Sequence, residues 1–182
     1  MKVRRLKASE WKAFQELRLR ALRADPLAFG SSFRREKAYP SDRWKSWADG
    51  GARGGEAATF VAEAEPGCLV GMAGVFTAGD EYHVWGMWVS PEFRNRGLGG
   101  RLFDRVLEWT QLTNPQREVS LEVNRDQASA FRLYEGRGFR ATGKASPLGH
   151  HAPAMVHEMR RTNPSSVARR SGGKKRPARK RA

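Results

Sequence analysis

One cysteine, Cys68, in 182 residues leaves no internal disulfide to form, so the fold must rest on its own core. The chain does not open with a charged start, an apolar run and a small-residue cleavage site. The longest apolar stretches, such as Cys68 to Phe76, fall far short of the roughly 20 residues that a membrane-spanning helix needs. A soluble, cytoplasmic protein without membrane contact is the expectation. Histidine is scarce too. His150 and His151 are adjacent in a Gly/Pro-bearing loop, His157 falls in a strand pattern, and no partners stand at a zinc spacing, so no metal is expected. A Gly-x-Ser-x-Gly nucleophile elbow is missing. Cys68 opens an apolar strand with no activating histidine assignable, and it reads as buried packing rather than a nucleophile.

Acidic residues are the other shortage: 19 Asp and Glu against 34 Lys and Arg give a net charge of +15. More than half of that charge is terminal. Residues 163 to 182 carry Arg169, Arg170, Lys174, Lys175, Arg176, Arg179, Lys180 and Arg181 with no acid, or +8, and residues 1 to 162 carry the other +7. A run so rich in Lys, Arg, Ser, Gly and Pro cannot offset its ordering entropy by burial. The reading is one domain over 1 to 162 and a disordered basic tail over 163 to 182. The tail serves as a solubilising segment or attracts RNA or ribosomes non-specifically.

Within the body, Val3 to Leu6 is a short strand, and Ser9 stands where an N-cap would open a helix bearing Phe14, Leu17, Ala21 and Leu22 on one face. Asp25-Pro26 ends it. Pro40-Ser41-Asp42 starts a second helix with Trp44 and Trp47 at i, i+3, stopped by Gly50-Gly51, and Gly50 to Gly55 reads as a loop. From Ala58 the period becomes that of strands: Thr59 to Ala64, Leu69 to Phe76 and Tyr82 to Val89, an antiparallel meander. A helix through Leu102, Phe103, Val106, Leu107 and Thr110 follows. Then come a strand at Val119 to Val123, a helix from about Gln127 to Arg137 with Gly138 as its C-cap, and strands at Phe139 to Thr142 and near Met155 to Arg160.

The most informative stretch is Val84 to Arg101, where a strand runs into the turn Arg94-Asn95-Arg96-Gly97-Leu98-Gly99-Gly100 and then into a helix. The first N–H groups of a helix have no internal partners and carry the positive end of its dipole, and glycine lets a phosphate approach the main chain. The turn suits a pyrophosphate, with Arg94 and Arg96 able to add charge. A glycine pair at such a turn can equally be structural. The terminal Gly-Lys-Ser/Thr of a Walker loop and the Gly-x-Gly-x-x-Gly of a dinucleotide fingerprint are both lacking, so nucleotide hydrolysis and hydride transfer lose support.

This turn resembles the coenzyme A-binding motif of the GNAT family of N-acetyltransferases, Arg/Gln-x-x-Gly-x-Gly/Ala, preceded here by Met87-Trp88-Val89 and Ser90-Pro91-Glu92-Phe93. Leu121-Glu122-Val123, with Ala128, Ala130, Leu133-Tyr134-Glu135 and Gly138-Phe139, resembles the family's second signature. Leu17-Arg18, Ala21-Leu22, Asp25-Pro26 and Ala28-Phe29-Gly30 are family-like as well, so the resemblance spans about Met1 to Arg161. It implies an α/β (α+β) fold: one GNAT-like domain with a mixed, mostly antiparallel sheet flanked by helices. Central strands would splay apart to admit pantetheine. It also implies acetyl transfer from acetyl-CoA to a primary amine, with Val89 pairing pantetheine as an added strand does and offering its N–H to the oxyanion that forms at the thioester carbonyl.

The resemblance gives two residues catalytic roles. Tyr134 matches the family tyrosine that protonates the departing thiolate, or else it and Phe131 are simply core. Glu122 matches the general base of the branch resembling ribosomal-protein N-terminal acetyltransferases, or else it is a solvent-facing or salt-bridged glutamate. At Gln127 the family's cofactor-contacting asparagine is missing; glutamine can reach for the same contact, or Asn124 can replace it. Trp88, Tyr82 and His83 are pocket walls or sheet packing. Gly136 in the last turn of its helix costs about 1 kcal/mol relative to alanine. Phe29 to Arg53 and Gly143 to Pro153 are the expected acceptor loops, and the amine itself is not specified by these residues.

Overall fold

The computed structural model describes residues 1–149 and 153–161. His150, His151 and the basic tail of the sequence reading lie outside the described residues. Seven strands form one sheet: β1 (Lys2–Arg5), β2 (Ala57–Glu65), β3 (Cys68–Ala78), β4 (Glu81–Val89), β5 (Glu118–Asn124), β6 (Arg140–Pro147) and β7 (Met155–Arg161). Their spatial order is β1-β2-β3-β4-β5-β7-β6, and every pairing is antiparallel except β4 with β5. Among the described residues five α-helices complete it: α1 (Trp11–Ala24), α2 (Phe33–Lys37), α3 (Ser41–Arg53), α4 (Leu98–Thr113) and α5 (Ala128–Glu135). The fold is the expected mixed, mostly antiparallel sheet with flanking helices. No helix among the described residues is long and apolar enough to cross a membrane.

Both faces of the sheet are covered, which is why β3 reads as an almost unbroken apolar run rather than an alternation. Successive side chains of β2 go to opposite faces: Phe60 and Ala62 join the core under α4, and Val61 joins the core under α1 and α3. From α4, Leu102, Phe103 and Val106 are fully buried, each stabilising the fold by roughly 1.5–3 kcal/mol. On the other face Phe14, Trp44, Trp47 and Trp85 form an aromatic cluster, with Trp47 and Trp85 stacked at 5.0 Å.

Four local readings need correction. Ser9 is not an N-cap: Ala8–Glu10 is a 3₁₀ turn in which the Glu10 carboxylate accepts the Lys7 N–H at 2.9 Å. Gly50 and Gly51 do not stop α3, which continues to Arg53 and ends at Gly54 with φ +74°. Gly51 is required there by close packing, since a Cβ would stand 2.3 Å from the Thr59 hydroxyl. Cys68 opens β3 as expected but is exposed, because it sits at the hairpin turn beyond the reach of α1. Gly136 follows α5 as its C-cap, so the helix-interior cost does not apply, and Gly138, at φ +85°, makes the left-handed turn. Much of the expected acceptor loop region is regular structure, as α2, α3 and the exposed edge strand β6.

Candidate active site in the splay between the central strands

The parallel pairing of β4 with β5 runs only from Glu81↔Glu118 to Val84↔Leu121. Beyond it the strands part, leaving Trp85 to Val89 facing Glu122 to Asn124 without a ladder between them. A cavity of about 460 Å³ occupies this splay. Gly86, at φ +67°, helps open it: β4 slips register against β3 between Met72 and Gly74, which turns the strand away from β5.

At the end of β4 the Ser90 N–H donates to the Val70 carbonyl at 2.8 Å, so the adjoining Gly71↔Val89 pair is the non-hydrogen-bonded kind. Val89 therefore turns its peptide groups away from β3. Its carbonyl accepts Arg94 Nε at 2.9 Å, and its N–H faces the splay. The chain then makes a 3₁₀ turn over Pro91–Phe93 and enters α4 through two left-handed residues, Asn95 at φ +58° and Gly97 at φ +73°. Leu98, Gly99 and Gly100 are the first three residues of α4, whose N–H groups have no helical carbonyl to bond. All three line the cavity with Asn95 and Gly97. This is an N–H cradle at the mouth of an open strand edge. A pyrophosphate followed by an amide-bearing arm matches its donors.

The two arginines of the turn do different things. Arg94 is committed to the scaffold: its Nη2 donates to Asp25 Oδ2, which also accepts Trp88 Nε1 at 2.6 Å. Asp25 thus ties the end of α1 to β4 and to the turn. Arg96 lies over the Phe93 ring at 5.6 Å and is not part of the cavity wall. The remaining residues singled out in the sequence, Met87, Trp88, Val89, Glu122, Asn124, Gln127 and Tyr134, all line the cavity. His83 does as well, but Tyr82 is fully buried edge-on to Trp109 and is sheet packing.

Asn124 is buried, and its Oδ1 accepts the Asp126 N–H at 3.0 Å, so that oxygen shapes the turn into α5. Gln127 caps α5 without using its side chain. Tyr134 is 5% exposed, held by Phe103 at 4.9 Å and by Phe139 at 6.3 Å, and burial pushes its hydroxyl above the usual phenol range. It is therefore protonated at neutral pH, the state a proton donor needs. Glu122 is exposed on β5 beside its cross-strand neighbour Glu158. Leu121 and Val123 pack toward α4, so Glu122 projects from the opposite face, the one carrying Trp85 and α1. Tyr134 and Glu122 reach the splay from opposite sides of the sheet.

Sequence reasoning gave Asp25 as a helix stop, Arg18, Asp25 and Phe29 as parts of family-like segments and Phe29 as the start of an acceptor loop, but assigned no site contact to any of them, nor to Trp85 or Glu36. Arg18 and Glu36 form a buried bidentate pair, Nε to Oε2 at 2.9 Å and Nη2 to Oε1 at 2.8 Å, with Arg18 on the cavity wall. The available signal was an arginine inside the apolar stripe of α1, next to Leu17 and one turn from Phe14, Ala21 and Leu22. No group of His, Cys, Asp and Glu side chains among the described residues could hold a metal ion.

The sequence profile of the Acetyltransferase (GNAT) family matches residues 11–139. An N-alpha-acetyltransferase RimI from Mycobacterium tuberculosis is 31% identical over 135 residues, 72% of this chain and 73% of that protein. Among solved structures, a ribosomal-protein-alanine N-acetyltransferase from Brucella melitensis superposes with a TM-score of 0.71 at 17% identity, covering 89% of this chain and 99% of its own. A GNAT superfamily phosphinothricin acetyltransferase from Sinorhizobium meliloti, in complex with AcCoA, gives 0.73 at 18% identity, covering 92% and 90%. These structural likenesses speak to fold, and the profile and the RimI relative speak to descent. The chain belongs to the acetyltransferase (GNAT) family.

Proposed function

We propose that the protein transfers an acetyl group from acetyl-CoA to a primary amine by direct attack across the β4/β5 splay. The observation that carries the reading is the junction itself. An open strand edge ending at Val89, an N–H cradle at Leu98 to Gly100 and a protonated tyrosine meet in one cavity. Acetyl-CoA supplies an already activated acyl group as a thioester, so no acyl-enzyme is needed. Asn95, Gly97, Leu98, Gly99 and Gly100 would hold its pyrophosphate, with Met87, Val89 and Gln127 along the arm.

The protein's own residues divide the remaining work. Glu122, on the α1 face, takes a proton from the incoming ammonium, directly or through water. The Val89 N–H offers a hydrogen bond where negative charge develops on the carbonyl oxygen. Tyr134, on the α4/α5 face, gives its proton to the departing sulfur, and the second proton that the nitrogen sheds as the amide forms passes to water. Acid and base on opposite faces keep the amine and thiol ends of the reaction apart. Release of free thiol from acetyl-CoA across a panel of amines, with intact-mass detection of the acetylated acceptor, tests the reading. Thiol release that needs an amine and adds one acetyl to it supports the proposal; failure of every amine would leave coenzyme A binding without transfer.

A further inference from the structure

Beyond Arg161 the chain carries lysines, and the sheet fixes where that segment starts. β7 pairs with β5 without a break from Asn124↔Val156 to Val119↔Arg161, so the chain leaves the sheet level with Val119. Glu122, on the cavity wall, lies three residues further along β5, about 10 Å at the rise of a strand. Lys174 and Lys175 follow Arg161 by 13 and 14 residues, across Ser165, Ser166, Ser171, Gly172 and Gly173. A Gly/Ser-rich chain of that length has a root-mean-square span of roughly 18–22 Å. The span covers the distance from the end of β7 to the cavity. Lys180, at 19 residues, is presented there less often.

The face between those two points is the one opposite α4. Glu122 and Glu158 are cross-strand partners on it, as are Ser120 and Arg160, while Leu121 and Met159 between them point into the core under α4. Glu81, Glu118 and Glu158 each have a cation beside them: Arg160 at 2.8, 3.5 and 2.9 Å, with Lys144 at 3.8 Å from Glu158 as well. Glu122 has no ion pair among the described residues, is exposed and lines the transfer cavity. An ammonium that crosses this face from the end of β7 thus meets its first carboxylate without a cation at the cavity.

A lysine on the same chain as the cavity is presented at an effective concentration on the order of millimolar, highest when the span of the connection matches the distance. At micromolar protein that favours it roughly 10³-fold over the same lysine of another molecule. We propose that the protein acetylates its own segment beyond β7, with Lys174 and Lys175 as intramolecular acceptors. The ε-ammonium loses a proton to Glu122 and its nitrogen attacks the thioester carbon. The C–S bond breaks as the N–C bond forms, sulfur leaves as the thiol with the proton of Tyr134, and the second proton of the nitrogen passes to water. Each transfer turns an ammonium into a neutral amide and so removes one of the eight positive charges of residues 163–182. Self-acetylation thereby sets the charge that this segment presents to a polyanion. The proposal deepens the transferase reading above and rests on it.

The test incubates the full-length protein with acetyl-CoA and no added amine, and follows it by intact mass and peptide mapping. Acetyl should appear on Lys174 and Lys175 well before it appears on Lys2, Lys7, Lys12, Lys37 or Lys45, whose slow chemical acetylation by the thioester is the internal control. The first-order rate constant should hold over a roughly 50-fold dilution of the protein, as an intramolecular step requires. K174R/K175R should lose at least about ten-fold in acetyl incorporation while still acetylating a small amine. A rate constant that falls in proportion to dilution overturns the assignment to the same chain, and so does label spread evenly over the body lysines or confined to Lys180. A protein that releases thiol with small amines yet leaves Lys174 and Lys175 unmodified refutes self-acetylation and leaves the transferase reading standing; failure with every amine as well refutes both.

Discussion

Valine at position 99 should damage coenzyme A binding while sparing the fold. A Cβ at Gly99 would stand 3.6 Å from Met87 Cε and 3.9 Å from Leu133 Cδ2, ordinary contact, so Gly99→Ala is accommodated. Valine extends two methyl groups about 1.5 Å further into a space bounded by those side chains and by the cradle. One N–H contact to phosphate is then lost or lengthened. A charge-assisted bond is worth about 1.5–3 kcal/mol, which corresponds to roughly 10- to 100-fold in Kd. Gly97 provides the contrast: nothing lies within 4 Å of its Cβ position, but φ is +73°, so Gly97→Ala should cost about 1–2 kcal/mol of folding stability through backbone strain. That would lower Tm by roughly 2–4 °C per kcal/mol in a domain of this size. Titration calorimetry with coenzyme A and thermal unfolding of both variants separate the two effects. A folded Gly99→Val protein with wild-type affinity would show that the pyrophosphate does not sit on this turn.

Asp25→Ala should leave the buried Trp88 Nε1 without a partner and release Arg94, costing about 1–3 kcal/mol in urea unfolding and weakening coenzyme A binding together; loss of neither would demote Asp25 to a surface residue. Hydrogen bonds from Arg4 hold the Glu63 carboxyl at about 2, and hydrogen bonds from Arg160 hold Glu158 at about 2. Both are depressed, so their stabilisation is complete above the unfolded value near 4.3 and is lost as pH falls toward 2. The urea midpoint should therefore drop over that window, less steeply in Glu63→Gln, and a flat midpoint would contradict the assignment. Deleting 163–182 removes +8 of charge; it should spare acetylation of small amines while reducing any RNA affinity and its salt dependence, and a large loss of kcat would tie the tail to the site.

The parts legible in the sequence were those with local causes. Periodicity located six of the seven strands within a residue or two, whereas β6 runs five residues past the expected Thr142, to Pro147; the glycines and the helix start at Leu98 marked the N–H cradle, because free helix N–H groups and positive φ depend only on neighbours in the chain. What failed was set by distant partners. Gly51 looks like a helix stop until Thr59 is packed on it, and Cys68 looks buried until the edge of α1 is known. The short α2 carries no apolar period in five residues, so its Glu36 could not be paired with Arg18 beforehand. The cleft itself depends on where one ladder ends, at Val84↔Leu121, and no local pattern states that; only the family resemblance anticipated it.

The central claim is that Tyr134, reaching the splay from the α5 side, is the proton donor to the departing thiol. Tyr134→Phe retains the ring that packs on Phe103 and Phe139, so folding and coenzyme A affinity should persist. Single-turnover kinetics with saturating amine isolates the chemical step from product release. The account predicts a loss on the order of 10²-fold, the lower range for a general acid, with water carrying the residual rate. An unchanged chemical step in a folded, coenzyme A-binding Tyr134→Phe protein would contradict it.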